Sequence, residues 1–301
     1  VPLTLLTMSS TDDISIMEFG ANQIGDINYL CKIAEPNHGL ITNIAPAHLE
    51  GFGSLEDIKQ EKGELLLALK DGFAFKNKAD QNIRGLPSEG REISYGLSSD
   101  CDFPTDIISE SNGNLTLIID SVEVPTNSKN LSYVKNVIAA ASVSITLGLE
   151  WDKFKERILT YNPPKGRCEI KKFELVTVID DTYNANLEST IGALNYLKAY
   201  GGTGKNIFIF GDMFELGEDS ELHHRQIGQK CKESEIDAVY LVGEKTKFTD
   251  LEINSSIYHQ HFSSKDQLAK EIKDSFSHGD VILIKGSRGM AMETIIQDLF
   301  E

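Results

Sequence analysis

Beyond residue 164 the sequence alternates short, almost continuous apolar runs with longer amphipathic stretches, and that alternation leaves few folds open. The runs are Leu175–Ile179, Ile207–Phe210, Ala238–Val242 and Val281–Ile284. A strand that is apolar on both faces needs cover on both faces, as in a parallel sheet flanked by helices. Helical patterns near Glu188–Tyr200, Glu221–Lys232, Lys265–Phe276 and Met290–Phe300 separate and follow the runs. Residues 164–301 are therefore expected to form a doubly wound, Rossmann-like α/β domain. Pro163–Pro164–Lys165–Gly166 stops regular structure and marks the boundary with a first domain over 1–163.

In that first domain, Ile14–Met17 reads as a strand ending at Glu18, followed by a helical pattern at Ile24, Ile27, Leu30, Ile33 and Ala34 that Pro36 stops. Gly39–Ile44 reads as a second strand. Ser54 with Asp57 makes a capping box for a helix running to about Leu69. The stretch from about 74 to 130 is turn-rich and β-like. Within it Asn112–Gly113 predicts a type I′ hairpin turn between Asp106–Glu110 and Leu115–Asp120. Helices are expected over Asn136–Leu149 and Asp152–Leu159.

Charge and cysteine usage narrow the function. With 29 Lys+Arg against 46 Asp+Glu, the net charge of −17 gives no global field for a phosphate backbone, so no nucleic-acid partner is expected. No apolar run reaches the ~18 residues of a membrane span. The four cysteines form no CxxC pair, which suits reduced thiols and a cytoplasmic location. The N-terminus has no basic region before its apolar residues and no starting Met, and it reads as a chain entered partway through.

Ligands of open α/β sheets gather at the carboxyl ends of strands. Glu18 and the Asn43–His48 segment follow the first two expected strands, and a Glu and a His there could share a divalent cation, or be a solvated Glu and an ordinary loop His. Lys62 falls within the apolar stripe Leu55, Ile58, Leu65, Leu66 and Leu69. It is either a snorkelling lysine or a desolvated amine fit for covalent chemistry. Gly201–Asn206 imitates a phosphate loop but has Ala199 for the first Gly and Asn206 for the Ser/Thr, and it precedes a strand rather than a helix. Asp180–Asn186, Gly211–Asp212 and Lys285–Gly289 sit at further strand ends. The first could bind ribose hydroxyls or a peptide backbone, or simply cap the next helix. The last places two cations before a helix, suited to a carboxylate or phosphate.

Taken together, Met17-Glu-Phe-Gly-Ala-Asn22, Thr42-Asn-Ile-Ala-Pro-Ala-His-Leu-Glu-Gly-Phe-Gly53, Lys62-Gly-Glu64, Lys165-Gly-Arg167, Asp180-Asp-Thr-Tyr-Asn-Ala-Asn186, Gly211-Asp-Met-Phe-Glu-Leu-Gly217 and Lys285-Gly-Ser-Arg-Gly-Met290 resemble the Mur ligases. The likeness spans nearly the whole chain in order. It implies a central ATPase domain followed by a C-terminal ligase domain. The most specific segments resemble members that add D-alanyl-D-alanine to UDP-N-acetylmuramoyl-tripeptide, using ATP and Mg2+ through an acyl phosphate. By that resemblance Glu18, His48 and Lys62 belong to the magnesium site, with Lys62 carbamylated. Asn136 contacts adenine, Arg167 the ATP phosphates and Asp181 the ribose. Asn184, Asn186, Lys285 and Arg288 hold the incoming dipeptide or the closing domain.

The family also has an N-terminal domain and a Gly-rich phosphate loop, and these 301 residues contain no GxxxxGK[ST]. The expectation is a truncated central domain that ligates poorly alone, or alternatively a non-catalytic nucleotide- or dipeptide-binding module. Tyr133 and Leu187 stand where the family usually has Asn and Pro.

Overall fold

Each of the two units that make up the chain is built on its own six-stranded sheet. The structure is a computed structural model describing residues 1–46 and 49–301. One unit comprises Val1–Glu110, Asn114–Ser128 and Tyr133–Leu159, and the other Ser111–Gly113, Lys129–Ser132 and Thr160–Glu301.

The first unit runs α1 (Pro2–Thr7), α2 (Asp26–Ala34), β1 (Gly39–Ile41), α3 (Leu49–Phe52), α4 (Leu55–Leu67), β2 (Phe73–Asn77), α5 (Gln81–Arg84), β3 (Arg91–Gly96), β4 (Phe103–Ser109), β5 (Leu115–Ile119), β6 (Val122–Ser128), α6 (Leu131–Thr146) and α7 (Trp151–Thr160). Its strands lie in sequence order, with β1 to β4 parallel and β4 to β6 an antiparallel meander. Successive residues of a strand face opposite sides. Ala74 accordingly packs with Ile58, Leu66 and Ile83 from α4 and α5, whereas Phe75 packs with Val134, Val137 and Phe154 from α6 and α7.

Two local expectations are corrected here. Ile14–Met17 is not a strand: Ile14 and Ile16 are 65 % and 89 % exposed in an irregular segment. A β-prone run without a neighbouring strand has no partner for its backbone groups and stays irregular. The Asn112–Gly113 turn is not type I′, because only Gly113 has a positive φ, +83°. Instead Glu110 N–H donates to the Asn114 carbonyl at 2.8 Å, closing a three-residue loop with glycine in the left-handed position. Lys62 lies within the α4 stripe as expected, half-buried like Leu55 and Leu65, and the buried face also takes in Glu61.

Glu61 explains why α4 holds its rotation. Its carboxylate accepts from the backbone N–H groups of Gly25 at 2.7 Å and Ile27 at 2.6 Å, the unpaired donors that begin α2. A buried anion is tolerated there because it meets donors and the positive end of a helix. Glu61→Ala is expected to lower stability by ~3 kcal/mol in urea denaturation, since it strands both N–H groups. A loss below ~0.5 kcal/mol, the level of an ordinary surface change, contradicts this role.

The second unit runs β7 (Glu169–Lys172), β8 (Val176–Asp181), α8 (Leu187–Tyr200), β9 (Asn206–Gly211), α9 (Ser220–Glu233), β10 (Ala238–Val242), α10 (Thr246–Asp250), β11 (Tyr258–Phe262), α11 (Lys265–Ile272), β12 (Asp280–Lys285) and α12 (Glu293–Phe300). The sheet order is β11-β10-β9-β12-β8-β7, parallel except for edge strand β7. Its two faces bury alternate residues. Ile179, Phe208, Val239 and Leu283 pack with Leu194, Leu197 and Ile227 from α8 and α9. Val178, Ile207, Tyr240 and Ile282 pack with Leu268, Ile272, Ile295 and Ile296 from α11 and α12. The expected doubly wound architecture is therefore present.

Candidate active site

In such a sheet the binding crevice opens where helices leave adjacent strands toward opposite faces. The chain leaves β8 into α8 and β9 into α9 on one face and leaves β12 for α12 on the other, so such points flank β12, one of them between β8 and β12. Asp181 and Lys285 end these two strands and stand opposite each other in the ladder. Lys285 is 2 % exposed, and its Nζ donates to Asp181 Oδ2 at 2.5 Å and to the Asn184 carbonyl at 2.8 Å. Asp181 Oδ1 accepts from Cys168 N–H at 3.0 Å. Burial, reinforced by the Asp181 charge, pushes the Cys168 thiol well above its ordinary range, so it stays protonated. Neighbouring Arg167 is exposed, with its guanidinium 4.1 Å from the centre of the Tyr183 ring. Tyr183 N–H donates back to Gly166 at 2.9 Å.

The other sequence candidates of this unit divide sharply. Asn184 is exposed, and its Oδ1 accepts from Ala185 N–H at 2.9 Å and Arg288 N–H at 3.4 Å. Arg288 is exposed and pairs with Glu293 at 2.9 Å. Asn186 is the N-cap of α8, in a reciprocal box with Ser189. The sequence offers Lys285 as a strand-end cation for an anion, but the structure turns it inward onto Asp181. The following segment is also not a helix N-terminus: Arg288–Met290 is a single 3-10 turn, and α12 starts at Glu293. The rejected phosphate-loop mimic is a turn held by Asp280, whose Oδ1 accepts Lys205 N–H at 2.7 Å.

The Gly211–Gly217 segment is a clasp rather than a set of free ligands. Asp212 accepts from the N–H groups of Glu244, Lys245 and Thr246 at 2.9, 2.9 and 2.8 Å, capping α10. A Cβ on Gly243, at φ +130°, would sit 2.3 Å from Asp212 Oδ1, so this approach requires glycine. Met213 N–H donates to His224 Nε2 at 3.1 Å, while His224 Nδ1 lies 2.7 Å from the Ser220 carbonyl. Phe214 N–H donates to Ser287 Oγ at 2.8 Å, tying the ends of β9 and β12 together.

In the first unit, Lys62 Nζ donates to the Asn43 carbonyl at 3.0 Å, just beyond the carboxyl end of β1. Glu18 is exposed in the irregular segment before α2, and Asn136 is exposed on α6. His48 lies outside the described residues. Among the described residues no three His, Cys, Asp or Glu side chains gather as a metal site, and no helix is long and apolar enough to cross a membrane.

Comparison with known proteins decides the family. Residues 1–144 match the Mur ligase middle domain, and residues 166–288 match the Mur ligase glutamate ligase domain. The UDP-N-acetylmuramoyl-tripeptide–D-alanyl-D-alanine ligase of Haemophilus influenzae is 34 % identical over 99 % of this chain and 67 % of its own length. The chain belongs to the Mur ligase family.

The Escherichia coli ligase of the same name is 32 % identical, matching all of this Mur ligase chain and 68 % of its own length. The chain thus spans about two thirds of these relatives. Among solved structures, MurF from Acinetobacter baumannii superposes with a TM-score of 0.87 at 26 % identity, over 99 % of this chain and 67 % of that one. MurF from Thermotoga maritima, in complex with ADP, gives 0.86 at 26 % identity, over 99 % and 69 %.

Sequence reasoning missed the structural carboxylates and His224 in this Mur ligase. The available signal for Glu61 was its place three residues after Ile58, at the edge of the α4 stripe. For His224 it was the helical period of α9, which places it three residues before Ile227. Burial lowers the His224 pKa from 6.5, and that of His223 likewise. The unfolded chain therefore takes up these protons near pH 6.5, and the folded chain only at lower pH. Stability from the neutral rings is complete above that value and is lost as pH falls through it. The urea midpoint is expected to drop as pH falls below about 6.5, with a shallower slope in His224→Gln. An unchanged slope contradicts the buried neutral imidazole.

Proposed function

We propose that this chain takes part in ATP-dependent amide formation between D-alanyl-D-alanine and UDP-N-acetylmuramoyl-tripeptide. The observation that carries this reading is the strand-end cluster of Arg167, Asp181, Asn184 and Arg288. It lies at a switch point of a Mur ligase domain, in a chain about a third identical to ligases named for that reaction. Such a ligase activates the tripeptide carboxylate as an acyl phosphate, which the dipeptide amine displaces with release of phosphate.

Arg167 is suited to the ATP phosphates, because its exposed guanidinium already rests over the Tyr183 ring and loses little freedom on binding. Asp181 is assigned to the ribose in this reading, on a carboxylate that already accepts from Lys285 Nζ and Cys168 N–H. Asn136, exposed on α6, contacts adenine. Asn184 and Arg288 form an exposed polar rim for the dipeptide, the arginine matching its carboxylate. Asn186 acts behind them by fixing the start of α8, and Lys285 by fixing Asn184.

Lys62, Glu18 and His48 form the proposed magnesium group. An ammonium cannot ligate Mg2+, whereas a carbamate on Lys62 would offer oxygen, the donor that this ion prefers. The half-buried amine already rests on a strand-end carbonyl, a place that limits its motion. Mg2+, when bound, supplies charge neutralisation on the transferring phosphoryl group. In a ligase that joins this chain to the remaining third of its relatives' length, Lys62→Ala is expected to lower D-alanyl-D-alanine-dependent product formation by about 100-fold or more, with partial rescue by short carboxylic acids. Full activity in that variant overturns the carbamate assignment. Product formation independent of D-alanyl-D-alanine overturns the proposed acceptor.

A further inference from the structure

We infer that Lys285 is a positioning residue, an internal cation that holds the Arg167 and Asn184–Arg288 segments in one register without itself meeting substrate. The inference rests on the ligase reading above and adds to it how the two halves of the strand-end cluster are joined.

The geometry runs outward from one ammonium. An ammonium has three donors, and two of them go to Asp181 Oδ2 and the Asn184 carbonyl. Through Asp181, the pair reaches Cys168 N–H and so fixes the residue after Arg167. Cys168 adopts φ +54°, a conformation that a non-glycine residue keeps only when its surroundings enforce it. Through Asn184, the pair reaches Arg288 N–H, and the adjacent Ser287 hydroxyl donates to the Ala185 carbonyl at 3.3 Å. Three segments from distant parts of the sequence thus hang on one buried pair. Loss of the charge frees the segments bearing Arg167 and Asn184 together, although neither residue is altered.

The chain and its variants should be titrated with D-alanyl-D-alanine by calorimetry, with urea midpoints measured alongside. Lys285→Met is expected to weaken binding about tenfold or more and to lower the midpoint. The double variant Asp181→Leu/Lys285→Met removes both charges, so its midpoint should recover much of the loss. Its dipeptide affinity should stay weak, because the anchors on Asn184 and Cys168 are still missing. Recovery of affinity together with the midpoint overturns positioning in favour of a merely structural pair. Unchanged affinity in Lys285→Met overturns it outright. A wild-type chain that does not bind the dipeptide removes the acceptor reading first, and this inference with it.

Discussion

The proposed site depends on one ion pair, Asp181 with Lys285, where helices leave neighbouring strands of the second sheet toward opposite faces. Parallel strands finish side by side, so the loops that follow them crowd together with many backbone donors and acceptors. A carboxylate and an ammonium placed at adjacent strand ends answer both kinds of group. Arg167, Asn184 and Arg288 can remain exposed because the residues beneath them are fixed. Burying two charges is costly, and excellent geometry with further hydrogen bonds is what makes it tolerable. Here each partner of the pair has a backbone group besides the other.

The same device recurs wherever the chain must close an awkward backbone junction. Glu61 satisfies the start of α2, Asp212 the start of α10, and Asp280 the turn before β9. Part of the acidic character of this chain is therefore internal, and these carboxylates serve as acceptors for backbone N–H groups. The net charge of −17 thus describes no single acidic surface. It is compatible with local cationic contacts at Arg167 and Arg288.

The central strands of the second sheet were legible because a strand covered on both faces reads as a nearly unbroken apolar run. Edge strands β7 and β11 escaped notice. Their sequences, Glu169–Lys172 and Tyr258–Phe262, mix polar and apolar residues because one edge has no neighbour. Ile14–Met17 failed in the opposite sense, since apolar composition alone does not supply a pairing partner. The segments forming the proposed site stood out at their strand ends, but composition does not tell which side chain in a motif turns inward. Lys285 and Arg288 are both cations in one short motif, and only the register with Asp181 separates the buried one from the exposed one. Asn186 was equally ambiguous until its bond with Ser189 made it a helix cap.

The dependence on this pair is measured most directly by a double-mutant cycle in urea denaturation, with Asp181→Asn, Lys285→Met and the two combined. A buried pair that anchors three loops predicts a coupling of ~2 kcal/mol or more. A coupling below ~0.5 kcal/mol, typical of an exposed salt bridge, would contradict it.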